Sequence, residues 1–214
     1  SDVCSSDLFD SDSGDLLALV EANTLGRIRT GAASGVATRL LACHDADTVG
    51  VIGSGRQARS QLEAVCQVRA IREVRVYSRD RERRTSFAGE MELALNVAVR
   101  PVDSGALAVR GAAIVIVMTN ARTPVLQGGW LEPGAHVNAA GSNRADATEL
   151  DVVAVKRSDL VVVDQLADAQ IESGDLIAAA ATGDLEWGRV VEIGSILAGK
   201  ASGRTSRDQI TLFE

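Results

Sequence analysis

The chain has 214 residues, 46% hydrophobic and 24% charged, with 29 Asp and Glu against 22 Lys and Arg for a net charge of −7. That apolar share builds a folded core, and the acidic balance excludes a nucleic-acid binder, whose phosphate contacts demand a basic face. No apolar run nears the roughly 18 residues that span a bilayer, and three scattered cysteines with two histidines make neither a disulfide framework nor a zinc set. The expectation is a cytoplasmic protein that binds neither nucleic acid nor membrane.

Residues 1–8 (SDVCSSDL) show no periodicity or capping logic and none of the regions of a leader peptide. They resemble a translated sequencing adapter and are read as a non-native tail, with a disordered acidic tail as the alternative. A short apolar run follows at 16–20. Leu25, Ile28, Ala32, Ala33, Val36, Leu40 and Leu41 then recur at helical steps, which predicts a helix over about 23–42. Gly26, Gly31 and Gly35 each cost that helix about 1 kcal/mol against Ala, so their density points to close approach by another backbone or a ligand.

From residue 48 onward strands and helices alternate. Strands are predicted at 48–52, 74–77, 97–102, 113–117, 135–140 and 160–163; helices at 56–70, 81–95 and, capped by Ser104, up to Arg110. Helices are expected again at 171–181 and 190–197. Residues 210–213 read as an apolar strand that stops at Glu214 with nothing to close it, so both ends look cut and the chain reads as a fragment. Continuous Val and Ile runs fit strands covered on both faces. The fold class is therefore α/β, a Rossmann-type doubly wound parallel sheet.

The first βα turn carries Gly53-Ser54-Gly55-Arg56-Gln57-Ala58 between a predicted strand and a predicted helix. Gly53 permits the tight turn, Gly55 lets the backbone approach a pyrophosphate, and Ala58 lets the helix pack on the strand. The helix N-terminus offers its unpaired N–H groups and positive dipole end to the phosphates. An NAD-binding unit places an acid at the end of the second strand for the ribose 2′-OH. Here Tyr77 is followed by Ser78 and Arg79, a hydroxyl and a guanidinium suited to a 2′-phosphate. NADP is therefore expected over NAD, with Asp80 as the competing ribose acceptor.

Several motifs now coincide in order: Arg29-Thr30-Gly31-Ala32-Ala33-Ser34, the Gly53 loop, the segment from His136 to Asn143, Glu149-Leu150-Asp151, Glu172-Ser173-Gly174-Asp175-Leu176, and the run from Gly203 to Phe213. Together they resemble the ornithine cyclodeaminase/mu-crystallin family. The resemblance implies a small amino or imino acid substrate, a homodimer when full length, and a second, substrate and dimerisation domain of which only remnants are present. On that pattern residues 9–30 are a remnant of the N-terminal substrate domain, 31–170 the Rossmann domain, and 171–214 a truncated C-terminal helical segment returning toward the substrate domain.

Carried over by position, the resemblance makes Arg29 the clamp on the substrate carboxylate and sets Thr30 near the cofactor. Gly53, Ser54, Gly55, Arg56 and Gln57 match the pyrophosphate loop, Ser78 and Arg79 the adenosine side, and Thr119 and Asn120 the nicotinamide ribose. Asn143 departs from the pattern, because the cyclodeaminases carry an Asp there as acid/base. Asn has no titrating proton, so it is read as an orienting group, with Asp146 as either a substitute acid or a turn residue or helix cap. The implied activity is NADP-dependent reduction of a small imino acid or amino-acid dehydrogenation. The alternatives are ornithine cyclodeamination with recycled NAD and a non-catalytic NADP-binding protein. Trp130 and Trp187 read as packing aromatics.

Overall fold

Eight short strands line up as one all-parallel sheet in the computed structural model, which describes residues 5–141 and 144–214. Ahead of that sheet lie β1 (Ser5–Phe9), β2 (Leu16–Glu21) and α1 (Asn23–Leu41). The sheet then begins with β3 (Thr48–Ile52), α2 (Arg56–Val68), β4 (Glu73–Tyr77), α3 (Arg81–Leu95), β5 (Ala98–Pro101), α4 (Gly105–Val109) and β6 (Ile114–Val117). It continues with β7 (His136–Ala139), α5 (Val152–Arg157), β8 (Leu160–Val163), α6 (Leu166–Glu172) and α7 (Gly174–Ala181), and ends with β9 (Val191–Glu192), α8 (Ile193–Leu197) and β10 (Thr211–Phe213). The spatial order is β5-β4-β3-β6-β7-β10-β8-β9. Strand order reverses between β3 and β6, the switch point of a doubly wound sheet.

The Val and Ile runs serve both faces. Ile114 and Ile116 pack with Leu62, Val65, Phe87 and Met91 of α2 and α3. Their neighbours Val115 and Val117 pack with Val109, Ala154 and Leu176 of α4, α5 and α7. Trp130 and Trp187 pack against the same second cluster. Among the described residues no helix is long and apolar enough to cross a membrane.

Three features differ from the expectation. Residues 5–8, read as part of a structureless tail, join Phe9 in a strand that pairs antiparallel with β2; a partner strand supplies the order that local sequence does not. The terminal strand β10 lies inside the main sheet, parallel to β7 on one side and β8 on the other. Finally, the helix expected over 171–181 is two helices broken at Ser173, whose side chain caps α7.

A buried polar seam ties α1 to the sheet. The His136 ring bridges Thr211 Oγ1 at 2.9 Å and Asn138 Oδ1 at 3.2 Å, and Asn138 donates to Thr38 Oγ1 on α1. Burial, with Arg204 nearby, pushes the His136 ring down to about 3, so it stays neutral. Arg69 completes the tie by donating to the Thr38 and Ala42 carbonyls at the end of α1.

Candidate functional site

The carboxyl ends of the strands open into a cleft of about 890 Å³, where ligands of open α/β sheets bind. Arg29 and Thr30 of α1 line it, as do Gly53, Ser54, Gly55, Arg56 and Gln57 after β3. Ser78 and Arg79 after β4, and Thr119 and Asn120 after β6, complete the set. Every expected site residue that the structure describes thus faces one space. Asn143 lies outside the described residues.

Gly53 has φ +115°, and a Cβ there would meet the Met118 carbonyl oxygen at 2.1 Å, so only glycine fits. A Cβ at Gly55 would meet nothing within 4 Å, so glycine keeps the cradle open. Arg59 donates to the Ser54 and Gly55 carbonyls, both at 3.1 Å, which turns the loop's acceptors toward α2. Among the described residues no side chain caps the N-terminus of α2, and the Gln57 Oε1 is buried without a partner. An uncapped helix start beside a glycine cradle fits a pyrophosphate.

At the end of β4 the Ser54 and Ser78 hydroxyls meet at 2.9 Å. Arg84, itself buried, donates to the Ser78 carbonyl at 3.0 Å and stacks over Tyr77. Asp80, the competing ribose acceptor, caps α3 by accepting from the Arg83 amide. Arg79 makes no hydrogen bond or ion pair with any described residue and lines the cleft exposed.

The approach of α1 to this loop depends on its small residues. A Cβ on Gly31 would meet the Ser60 carbonyl oxygen at 2.6 Å, and one on Gly35 would meet Ala64 Cβ at 3.1 Å. The α1–α2 crossing is therefore backbone-close, and it sets Arg29 beside the phosphate loop. The Thr30 hydroxyl donates to the Gly26 carbonyl at 2.9 Å, and the Thr30 carbonyl accepts from Gln61 Nε2 at 3.3 Å. Asp146 is held by Arg144 through two bonds of 2.8 Å, which keeps its carboxyl below the usual range. It is not among the described residues that line the cleft.

Three carboxyls at the far end were not singled out from the sequence. Glu149 accepts from the Thr119 amide at 2.6 Å, yet burial pushes it up to about 7. Asp175 accepts from the Glu149 and Leu150 amides, and burial pushes it up to about 6. Glu214 lines the cleft and accepts from the Ser173 hydroxyl; burial and the Asp175 charge hold it well above the carboxylate range. Glu149 and Asp175 fall within two of the motifs quoted above, and each of the three acids adjoins an apolar residue, as at Glu149-Leu150, Asp175-Leu176 and Phe213-Glu214.

The model of the ornithine cyclodeaminase/mu-crystallin family matches residues 4–214. The chain is 38% identical to a Delta(1)-pyrroline-2-carboxylate reductase of Bacillus cereus over 97% of its length and 64% of that protein's. It is 38% identical to the ketimine reductase mu-crystallin of Rattus norvegicus, over 86% of this chain and 57% of that one. The structure of Thermococcus litoralis Delta(1)-pyrroline-2-carboxylate reductase with NADH and L-proline superposes with a TM-score of 0.93 at 42% identity, over 97% of this chain and 64% of that one. The chain thus spans about two thirds or less of the length of these relatives.

Proposed function

Because the chain belongs to the ornithine cyclodeaminase/mu-crystallin family, we propose that it forms the dinucleotide-binding part of a reductase that converts a small cyclic imino acid to the amino acid with NADPH. The observation that carries this reading is the single cleft in which a phosphate cradle runs on to the Arg29 guanidinium. In this reading the uncapped start of α2 holds the pyrophosphate, Ser78 and Arg79 hold the 2′-phosphate, and Thr119 and Asn120 flank the nicotinamide ribose. Arg29 clamps the substrate carboxylate through its planar fork. Bound cofactor supplies hydride for the imine carbon. The ammonia-lyase alternative needs a titrating acid at position 143, and Asn has none.

NADP over NAD rests on the unpaired Arg79 and on Asp80 being spent as a helix cap. Titration with NADPH and NADH, followed by nicotinamide fluorescence, tests it. Arg79→Ala is expected to weaken NADPH binding about 10- to 100-fold, the worth of a charge-assisted pair, and to leave NADH within about 3-fold. A wild-type preference for NADH, or equal loss with both, overturns the NADP assignment. Net NADPH oxidation with a cyclic imine supports the reductase; ammonia release without net oxidation supports the lyase.

The same reading makes residues 9–30 and 171–214 the parts adjoining a substrate domain, and the full-length protein a cytoplasmic homodimer. Its support is the apolar β1–β2 hairpin, which is exposed on both faces.

A further inference from the structure

We propose that Glu214 is the acid that protonates the substrate nitrogen, an assignment that rests on the reductase reading above. Glu214 follows β10, and its amide donates to the Val162 carbonyl at 3.0 Å, so the sheet fixes its place at the cleft floor. Ser173 Oγ accepts from the Leu176 amide at 3.4 Å as the cap of α7, which leaves its hydroxyl hydrogen for Glu214 Oε1. Oε1 is therefore the acceptor oxygen. Oε2 is shielded from water and has no partner among the described residues.

An ionised oxygen in that position would forfeit its hydration with nothing in return. A carboxylic O–H there is a donor with no acceptor among the described residues, in a residue that lines the cleft. The surrounding charges favour the proton-bound form. Asp175 from α7 and Glu149 from the segment before α5 both raise Glu214. Asp164 after β8 and Glu172 of α6 line the same cleft, whose cations are Arg29 on α1, Arg56 at the start of α2, Arg79 after β4 and Arg83 of α3.

A neutral imine nitrogen has the lone pair that Oε2–H lacks a partner for. A reduced nicotinamide dinucleotide supplies hydride to the imine carbon. As the C=N π pair moves to nitrogen it takes the proton from Oε2, giving a C–H bond, an N–H bond and the Glu214 carboxylate. Product departure opens Oε2 to a water in the cleft, which returns the proton to Glu214.

The test compares wild-type full-length protein with E214Q on a cyclic imino acid and on its N-methyl iminium analogue, which needs no proton. Above neutral pH, E214Q is expected to lose about 100-fold or more on the imine, the usual worth of a general acid, while its rate on the iminium stays within about 3-fold of wild type. A second readout needs no turnover. Infrared difference spectra of wild type against E214Q, without cofactor at neutral pH, should show a protonated-carboxyl band that the variant lacks. Equal loss on both substrates, unchanged rates on both, or absence of that band overturns the assignment alone. Wild-type protein that oxidises no NADPH with either substrate overturns the reductase reading and this assignment with it.

Discussion

A carboxyl taken out of water keeps its proton to higher pH, and Glu149 shows the consequence for stability. Its unfolded value is near 4.5, and burial raises it to about 7 in the fold. Between those values the folded state binds more protons than the unfolded one, so stability falls as pH rises through that window. The loss is of the order of 3 kcal/mol when complete; Asp175 and Glu214, raised in the same direction, add to it. The melting temperature is therefore expected to drop between mildly acidic and mildly alkaline buffer. Glu149→Gln keeps an acceptor for the Thr119 amide and removes the titration, so the variant's profile should be flatter. An unchanged slope in Glu149→Gln would show that this carboxyl titrates normally. The contrast with the phosphate loop explains what was legible at this scale. Gly53 and Gly55 are required by local backbone geometry, which a short motif displays. The three raised carboxyls acquire their character from burial by segments up to 65 residues apart in sequence, from Glu149 to Glu214, and no motif encodes that.

Among the elements, α1 gives the sharpest separation between what a pattern encodes and what packing decides. Its apolar spacing predicts a helix over about 23–42, and it runs Asn23–Leu41; α3, over Arg81–Leu95, matches its expected bounds. The glycines of α1 announced a close approach, but only the structure tells Gly31 from Gly26. A methyl at Gly31 would press on the Ser60 carbonyl at 2.6 Å, whereas one at Gly26 meets nothing within 4 Å. Gly31→Ala is expected to destabilise by about 1–3 kcal/mol through overpacking against backbone, and Gly26→Ala to stabilise by about 0.5–1 kcal/mol through helix propensity. Denaturation midpoints at equal slope measure both. Destabilisation by both variants would mean that the α1–α2 crossing is not what constrains Gly31. The misread helix over 171–181 has a different cause. Its apolar periodicity runs through Ser173, but that side chain turns back to cap α7 and breaks the helix.

At the scale of the whole molecule, strand order decides where the site lies, and strand order is a matter of long-range pairing. The alternation of elements was enough to give the doubly wound class. It could not say that β10 enters between β7 and β8, the placement that brings Glu214 to the cleft. Nor could it reveal the β1–β2 hairpin, whose order comes from cross-strand pairing. A two-stranded sheet has little stability by itself, and this one exposes Phe9 at 56%, Leu17 at 59% and Leu19 at 68%, with Leu25 and Ile28 of α1 also exposed. Apolar surface of this kind marks an interface, and the homodimer reading assigns it to a second copy. Leu17 and Leu19 share one face of β2, so replacing both with Glu removes two anchors and introduces two charges. Loss of two buried leucines is worth about 3 kcal/mol or more, which raises the dimer dissociation constant at least about 100-fold. Sedimentation of the full-length protein should then show a dimer for wild type and a monomer for L17E/L19E at the same concentration. NADPH affinity is expected to stay unchanged, because neither leucine lines the cleft. A variant that remains dimeric would place the interface elsewhere, and a monomeric wild type would leave this hairpin to be covered within one chain.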